Sequence, residues 1–230
     1  MSCHAIEARL ADHGLRLFGG FHPEPSDGTP AGCRPLLLVG PHPQSFWPLL
    51  TASAEWRSGL RDPVDRYSRR VIGRLACDLG AKALFPFTGP PFHPFVQWAK
   101  RSGQAFDSPA LMLVHREAGL MISFRGALAL RERLELPLPQ PSPCEGCARP
   151  CVTACPGGAV SEGWYDVPRC SSWLESAGGA ECHRGCLVRR ACPLSHAHAR
   201  VEGQSAWHMR NFIHEHPAPD PDPPRQIGLG

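Results

Sequence analysis

The chain is 230 residues long, 42% hydrophobic and 20% charged, with a formal net charge of +3. That length holds one full domain and a small appended one, and so mild a charge, with both signs interspersed, predicts neither DNA nor a membrane as partner. No apolar run approaches a membrane span, and Met1-Ser2-Cys3-His4-Ala5-Ile6-Glu7 lacks the basic and apolar regions of a signal peptide, so the expected location is a reducing cytoplasm.

In chain order, Ile6 and Leu10 fall at helical spacing over residues 4–13, and Gly14 is placed to end that helix. Leu15 to Phe18 reads as a short strand, residues 22–35 as a Pro/Gly loop, and Leu36-Leu37-Leu38-Val39 as a buried strand. Residues 45–57 read as a helix with Phe46, Leu49, Leu50 and Trp56 inward. Asp62-Pro63 is an N-cap and first helical residue. The helix it opens carries Val64, Tyr67, Val71, Leu75 and Leu79 on one face and stops at Gly80. Ser68-Arg69-Arg70-Val71 resembles a twin-arginine signal but lies inside that helix, as a solvated face.

Lys82 to Phe87 reads as a strand, Gly89-Pro90-Pro91 as a turn, and residues 93–102 as a helix ending at Gly103. Leu111–Val114 and Leu120–Phe124, flanking Arg116-Glu117-Ala118-Gly119, read as a hairpin. Strands alternating with helices imply an α/β N-terminal domain. The expected division is residues 1–136 as that domain, 137–143 as a stiff Pro-rich linker, and 144–200 as a cysteine-rich domain. Residues 201–230 follow as a helix and a disordered tail after Pro217.

Eight of the eleven cysteines lie between Cys144 and Cys192, and Cys155 and Cys192 each precede a proline. Eight thiolates are the number that two [4Fe–4S] clusters need. In two-cluster ferredoxins the cysteine before the proline ligates the other cluster. That crossover assigns Cys144, Cys147, Cys151 and Cys192 to one cluster, and Cys155, Cys170, Cys182 and Cys186 to the second. The spacing departs from the C-x2-C-x2-C-x3-C-P run by one extra residue near Ala148-Arg149-Pro150, and the second half lacks a C-x2-C pair. Zinc in S4 sites would tolerate these spacings but offers no reason for the Cys-Pro pairs. Disulfides would need an oxidising compartment. Gly146, Gly157, Gly158 and Gly185 would let backbone N–H groups approach cluster sulfur, and Val152, Ala154, Ala159, Val160, Leu187 and Val188 would form an apolar shell.

Gly119-Leu-Met-Ile-Ser-Phe-Arg-Gly-Ala-Leu128, a Leu-Pro step and Cys144…Cys155-Pro-Gly-Gly-Ala159 resemble the join between the catalytic and ferredoxin domains of epoxyqueuosine reductases. Thr88-Gly89-Pro90 resembles the segment before that join. The resemblance implies an α+β protein: a nitroreductase-like or cobalamin-processing-like N-terminal domain followed by a small bacterial-ferredoxin-like dicluster domain. It also implies cobalamin as a candidate partner of the first domain. Phe87 stands where the family has an acidic proton donor, and phenylalanine cannot donate a proton. Asp107-Ser108-Pro109 replaces the family's Gly-Lys-Asn stretch, and the tRNA-gripping helical repeats have no counterpart. Epoxyqueuosine reduction is therefore not expected.

The expected class is an iron–sulfur protein that passes single electrons to a redox partner protein or to a site in its own N-terminal domain. The alternatives are a corrinoid- or flavin-dependent reductase and a zinc-stabilised interaction module. No G-x-G-x-x-G fingerprint for NAD appears. Among the twelve histidines, His93 and His115 flank the hairpin and are the candidates to approach a corrinoid. His196, His198, His208, His214 and His216 read as solvated or locally hydrogen-bonded. Cys77 reads as a small buried hydrophobe, and Cys3 and Cys33 as loop or terminal thiols. Arg125 reads as one half of an ion pair, and Trp164, Tyr165, Trp173 and Trp207 as packing around the clusters.

Overall fold

A computed structural model describes residues 2–219; the expected disorder of residues 220–230 lies outside the described residues. Ser2 caps the first helix, α1 (Cys3–Ala11), by accepting from the Ala5 N–H. Strand β1 (Leu15–Phe21) follows and pairs antiparallel with β2 (Leu36–Pro41). The expected helix over residues 45–57 is two pieces, α2 (Phe46–Thr51) and α3 (Ala54–Arg57). The break falls at Ser53, whose extended backbone leaves the helix and whose hydroxyl caps α3 by accepting from the Trp56 N–H. The long helix α4 (Pro63–Asp78) buries Val64, Tyr67, Val71, Ile72 and Leu75. Arg69 and Arg70 lie on its exposed side, Arg70 paired with Glu55.

Strand β3 (Lys82–Leu84) and helix α5 (Phe95–Arg101) come next, then β4 (Ala105–Asp107) and β5 (Leu113–His115). Strand β6 (Gly126–Ala129) returns to the centre of a four-stranded sheet of order β1-β2-β6-β3. Every pairing in it is antiparallel, so the chain is α+β and the α/β reading of the N-terminal part does not hold. The apolar run Leu36–Val39 signalled burial on both faces, and burial does not fix strand direction. Leu37 and Val39 pack with α1, α2 and α4 on one face. Leu36 and Leu38 pack with Phe95, Trp98 and Ala99 of α5 on the other.

The expected hairpin between residues 111–114 and 120–124 is replaced by two arrangements. β5 pairs with β4, and the chain folds back at His115 and Gly119 without a second strand. Leu120, Met121 and Ile122 form a buried wall, with Leu120 packed beside Cys151 and Cys192 and Ile122 against Phe18 and Ala118. The strand that follows is built from small residues because the sheet centre is tight. A Cβ on Gly126 would lie 2.9 Å from Ile72 and 3.0 Å from the Leu84 carbonyl oxygen.

The cysteine-rich segment holds a two-stranded hairpin, β7 (Val160–Ser161) and β8 (Trp164–Tyr165), and short helices. These are α6 (Val167–Glu175), α7 (Ala180–His183), α8 (Leu187–Ala191) and α9 (Pro193–His198). Helix α10 (Glu202–Glu215) then packs back on the N-terminal part, with Trp207 6.2 Å from Trp47. No helix among the described residues is long and apolar enough to cross a membrane.

Candidate functional site

Prolines and tight turns place the cysteines. Cys144 follows Pro143 and opens a turn closed by the Cys147 N–H on its carbonyl. The extra residue of the first run is absorbed at Arg149, which takes a left-handed conformation (φ 54°), and at Pro150, which starts a short 3-10 turn over Pro150–Val152. Cys151 sits in that turn. Cys170 lies on α6 and Cys182 on α7, while Cys186 precedes α8. Cys192 joins α8 to α9, where Pro193 takes the first helical position.

Two quartets result. Cys144, Cys147, Cys151 and Cys192 line one cavity of about 160 Å³, closed by Val114, Leu120 and Leu194, with no other cysteine on its wall. Burial, then the charges of Cys147, Cys151 and Cys192, push the Cys144 thiol up. Burial, then Cys186, Cys155 and Cys182, push the Cys170 thiol up to about 11, against the Tyr165 hydroxyl, which lowers it. Burial, then Cys186 and Cys155, likewise raise Cys182.

Among the described residues no three His, Cys, Asp or Glu side chains are placed to hold one metal ion. A tetrahedral zinc with 2.3 Å bonds needs its sulfurs about 3.8 Å apart. A cubane puts each thiolate on a different iron and so spreads four sulfurs over a wider tetrahedron.

The surroundings suit an anionic sulfur centre. The Arg149 N–H donates to Cys147 Sγ (3.4 Å) and the Ala159 N–H to Cys155 Sγ (3.3 Å). The indole N–H of Trp173 is buried without a hydrogen-bond partner, and it lies close enough to favour the Cys182 thiolate. Ala159, Val160 and Val188 of the expected shell are buried. Met112, Val114 and Leu120 add to the shell of the first quartet. Met209, Phe212 and Ile213 of α10 add to that of the second.

Several other expectations need correction. Trp164 is 62% exposed. Trp207 packs on Trp47 and not on the cysteines. Cys77 is exposed, on the solvent side of α4, because the helix face at that position turns from the core. His115 is buried; its Nδ1 accepts from the Glu117 N–H (3.1 Å) and its Nε2 has no partner. His93 stacks on Trp98. The two do not share a cavity, and neither lines the largest one. Burial raises the Cys33 thiol to about 11, which argues against a nucleophile. Arg125 pairs with Asp65 at 3.0 Å, as expected.

One feature escaped the sequence reading. A cavity of about 490 Å³ opens between α4, α10 and the 86–87 turn, lined by Trp47, Phe87, Arg125, Arg200, Trp207 and Phe212 among others. Leu120 lines the first quartet's cavity and Ser123 lines this one, so the four-residue wall Leu120–Ser123 joins the two. Trp47, Phe87, Arg200 and Trp207 are far apart in sequence and share no spacing pattern that could have flagged them. No family model, curated protein or solved structure matches the chain.

Proposed function

We propose that this chain is an iron–sulfur electron-transfer protein that holds two [4Fe–4S] clusters. Cys144, Cys147, Cys151 and Cys192 would hold the first, and Cys155, Cys170, Cys182 and Cys186 the second. When bound, such clusters supply one-electron chemistry at potentials set by charge, hydrogen bonding and solvent access. The observation that carries the reading is the sorting of eight cysteines into two quartets across the Cys-Pro steps. The apolar walls keep water away, and the Arg149, Ala159 and Trp173 N–H groups are available to stabilise added negative charge.

Anaerobically purified protein should contain about eight iron and eight acid-labile sulfide per chain, with broad visible absorption that dithionite bleaches. Two zinc per chain and no labile sulfide would refute it.

A second reading is an oxidoreductase whose N-terminal part holds a corrinoid, a flavin or a small substrate. One observation favours it: the large cavity, with Phe87 on its wall, lies across Leu120–Ser123 from the first quartet. Titrating the reduced protein with cobalamin separates the two. Shifted corrin bands and reduced cobalt support the enzyme, and untouched bands leave the carrier.

A further inference from the structure

The large cavity carries a charge that the protein itself does not balance. Arg200 lies on its wall and forms no salt bridge among the described residues. Its Nε is buried without a partner, and its Nη2 donates only to the Met121 carbonyl. Burial, then repulsion from Arg189 and Arg125, lowers the Arg200 pKa to about 9, with no carboxylate acting the other way. His208 lines the same wall and stands exposed.

Asp65 is bound to Arg125. Asp62 and Glu215, the other carboxylates on the wall, stand exposed and pair with neither arginine. Burying an unpaired guanidinium is costly. A cleft that keeps one facing aromatic walls fits a ligand that brings its own negative charge.

The walls state the rest of the ligand. Trp47 and Trp207, with ring centroids 6.2 Å apart, join Phe46, Phe87 and Phe212 in offering flat apolar surface. Gln204 lines the same cavity, and its Oε1 is buried without a partner; turned over, that amide presents an N–H₂ donor.

We propose that this cavity binds a small aromatic carboxylate or phosphate ester, with its anionic end on Arg200 and its flat body against Trp47, Trp207 and Phe212. This site goes beyond the electron-transfer reading and does not depend on it.

The test is anaerobic isothermal titration calorimetry of the full, cluster-loaded chain with phenyl phosphate, benzoate, inorganic phosphate, benzyl alcohol and benzylamine. Phenyl phosphate or benzoate should bind once per chain. Benzyl alcohol and benzylamine should bind about tenfold or more weaker. Inorganic phosphate binding as tightly as phenyl phosphate would overturn the aromatic part. Arg200→Gln should weaken the aromatic anion by about tenfold or more, and Arg200→Lys by less. Arg210→Gln, on α10 but off the cavity wall, should change nothing.

Equal affinity for anionic, neutral and cationic probes in the unmodified chain would overturn the proposal even if Arg200→Gln failed to fold. Unchanged affinity in a folded Arg200→Gln would do the same. Iron and sulfide are assayed on the same samples. Their absence would defeat the electron-transfer reading and leave the anion result standing.

Discussion

Removing cysteines in pairs decides which thiolates act together. A quartet missing one cysteine can retain an altered cluster, so single variants are ambiguous. Paired variants are not. Cys144 and Cys192 line the same cavity although they are 48 positions apart, whereas Cys186, six positions from Cys192, couples to Cys170 and Cys182. Cys144→Ala with Cys192→Ala should therefore empty one quartet and leave about four iron and four sulfide per chain. Cys186→Ala with Cys192→Ala should take one ligand from each quartet, so that no unaltered [4Fe–4S] signal remains. Iron, labile sulfide and the electron paramagnetic resonance spin count of the reduced protein read the outcome. If each half of the sequence instead held its own cluster, Cys186→Ala with Cys192→Ala would keep one unaltered [4Fe–4S] cluster, and Cys144→Ala with Cys192→Ala would keep none. That reversal would refute the crossover.

Three further outcomes follow from the same geometry. Gly119→Ala adds a Cβ at φ 55°, 2.5 Å from the Ser195 nitrogen and 3.0 Å from Cys192 Sγ. It should cost about 2–4 kcal/mol, from the left-handed backbone and the overpacking together, and loosen the first quartet; a denaturation midpoint close to that of the unmodified chain would contradict this. Trp173→Phe keeps most of the ring packing but removes the unpartnered indole N–H, so in voltammetry the second cluster's couple should move to more negative potential and the first should stay; movement of both couples would reject the assignment. His115 is buried with its pKa lowered to about 4, by burial first and then by Arg16. The unfolded chain binds its proton near pH 6.5, so between those values the unfolded state holds more protons and stability rises with pH. His115→Asn, able to keep accepting from the Glu117 N–H, should remove about 1.4 kcal/mol of the loss between pH 7.5 and 5.5; a pH slope equal to that of the unmodified chain in urea titrations would show that the histidine is not held neutral.

Local signals read well where one cause dominated. Asp62-Pro63 and the three- and four-residue spacing after it marked α4 because capping and amphipathicity agreed there. The Pro/Gly loop and the buried run Leu36–Val39 were also legible. Other signals misled where tertiary demands outweighed pattern. Leu120-Met121-Ile122 has strand composition, yet its apolar side chains go to separate clusters, Leu120 beside Cys151 and Cys192 and Ile122 against Phe18 and Ala118. Gly126-Ala127-Leu128-Ala129 has weak strand propensity, yet it fills the sheet centre because nothing larger fits beside Ile72 and Leu84. The large cavity draws on residues from 41 to 215, and a meeting of such distant positions leaves no periodicity to find.

The wall at Leu120–Ser123 explains why the cysteine-rich segment is more than an appendage. A buried non-strand backbone must find partners elsewhere for its N–H and C=O groups. Here the C-terminal segment supplies them. The Ser195 hydroxyl accepts the Leu120 N–H at 3.0 Å, Arg189 donates to the Leu120 carbonyl, and Arg200 donates to the Met121 carbonyl. Ser195 follows Cys192 by three residues, and Arg189 sits on α8 between Cys186 and Cys192. The residues that satisfy the wall are therefore positioned by the same short helices that position the quartets. Arg200 belongs to both systems, since its guanidinium holds the wall and faces the large cavity.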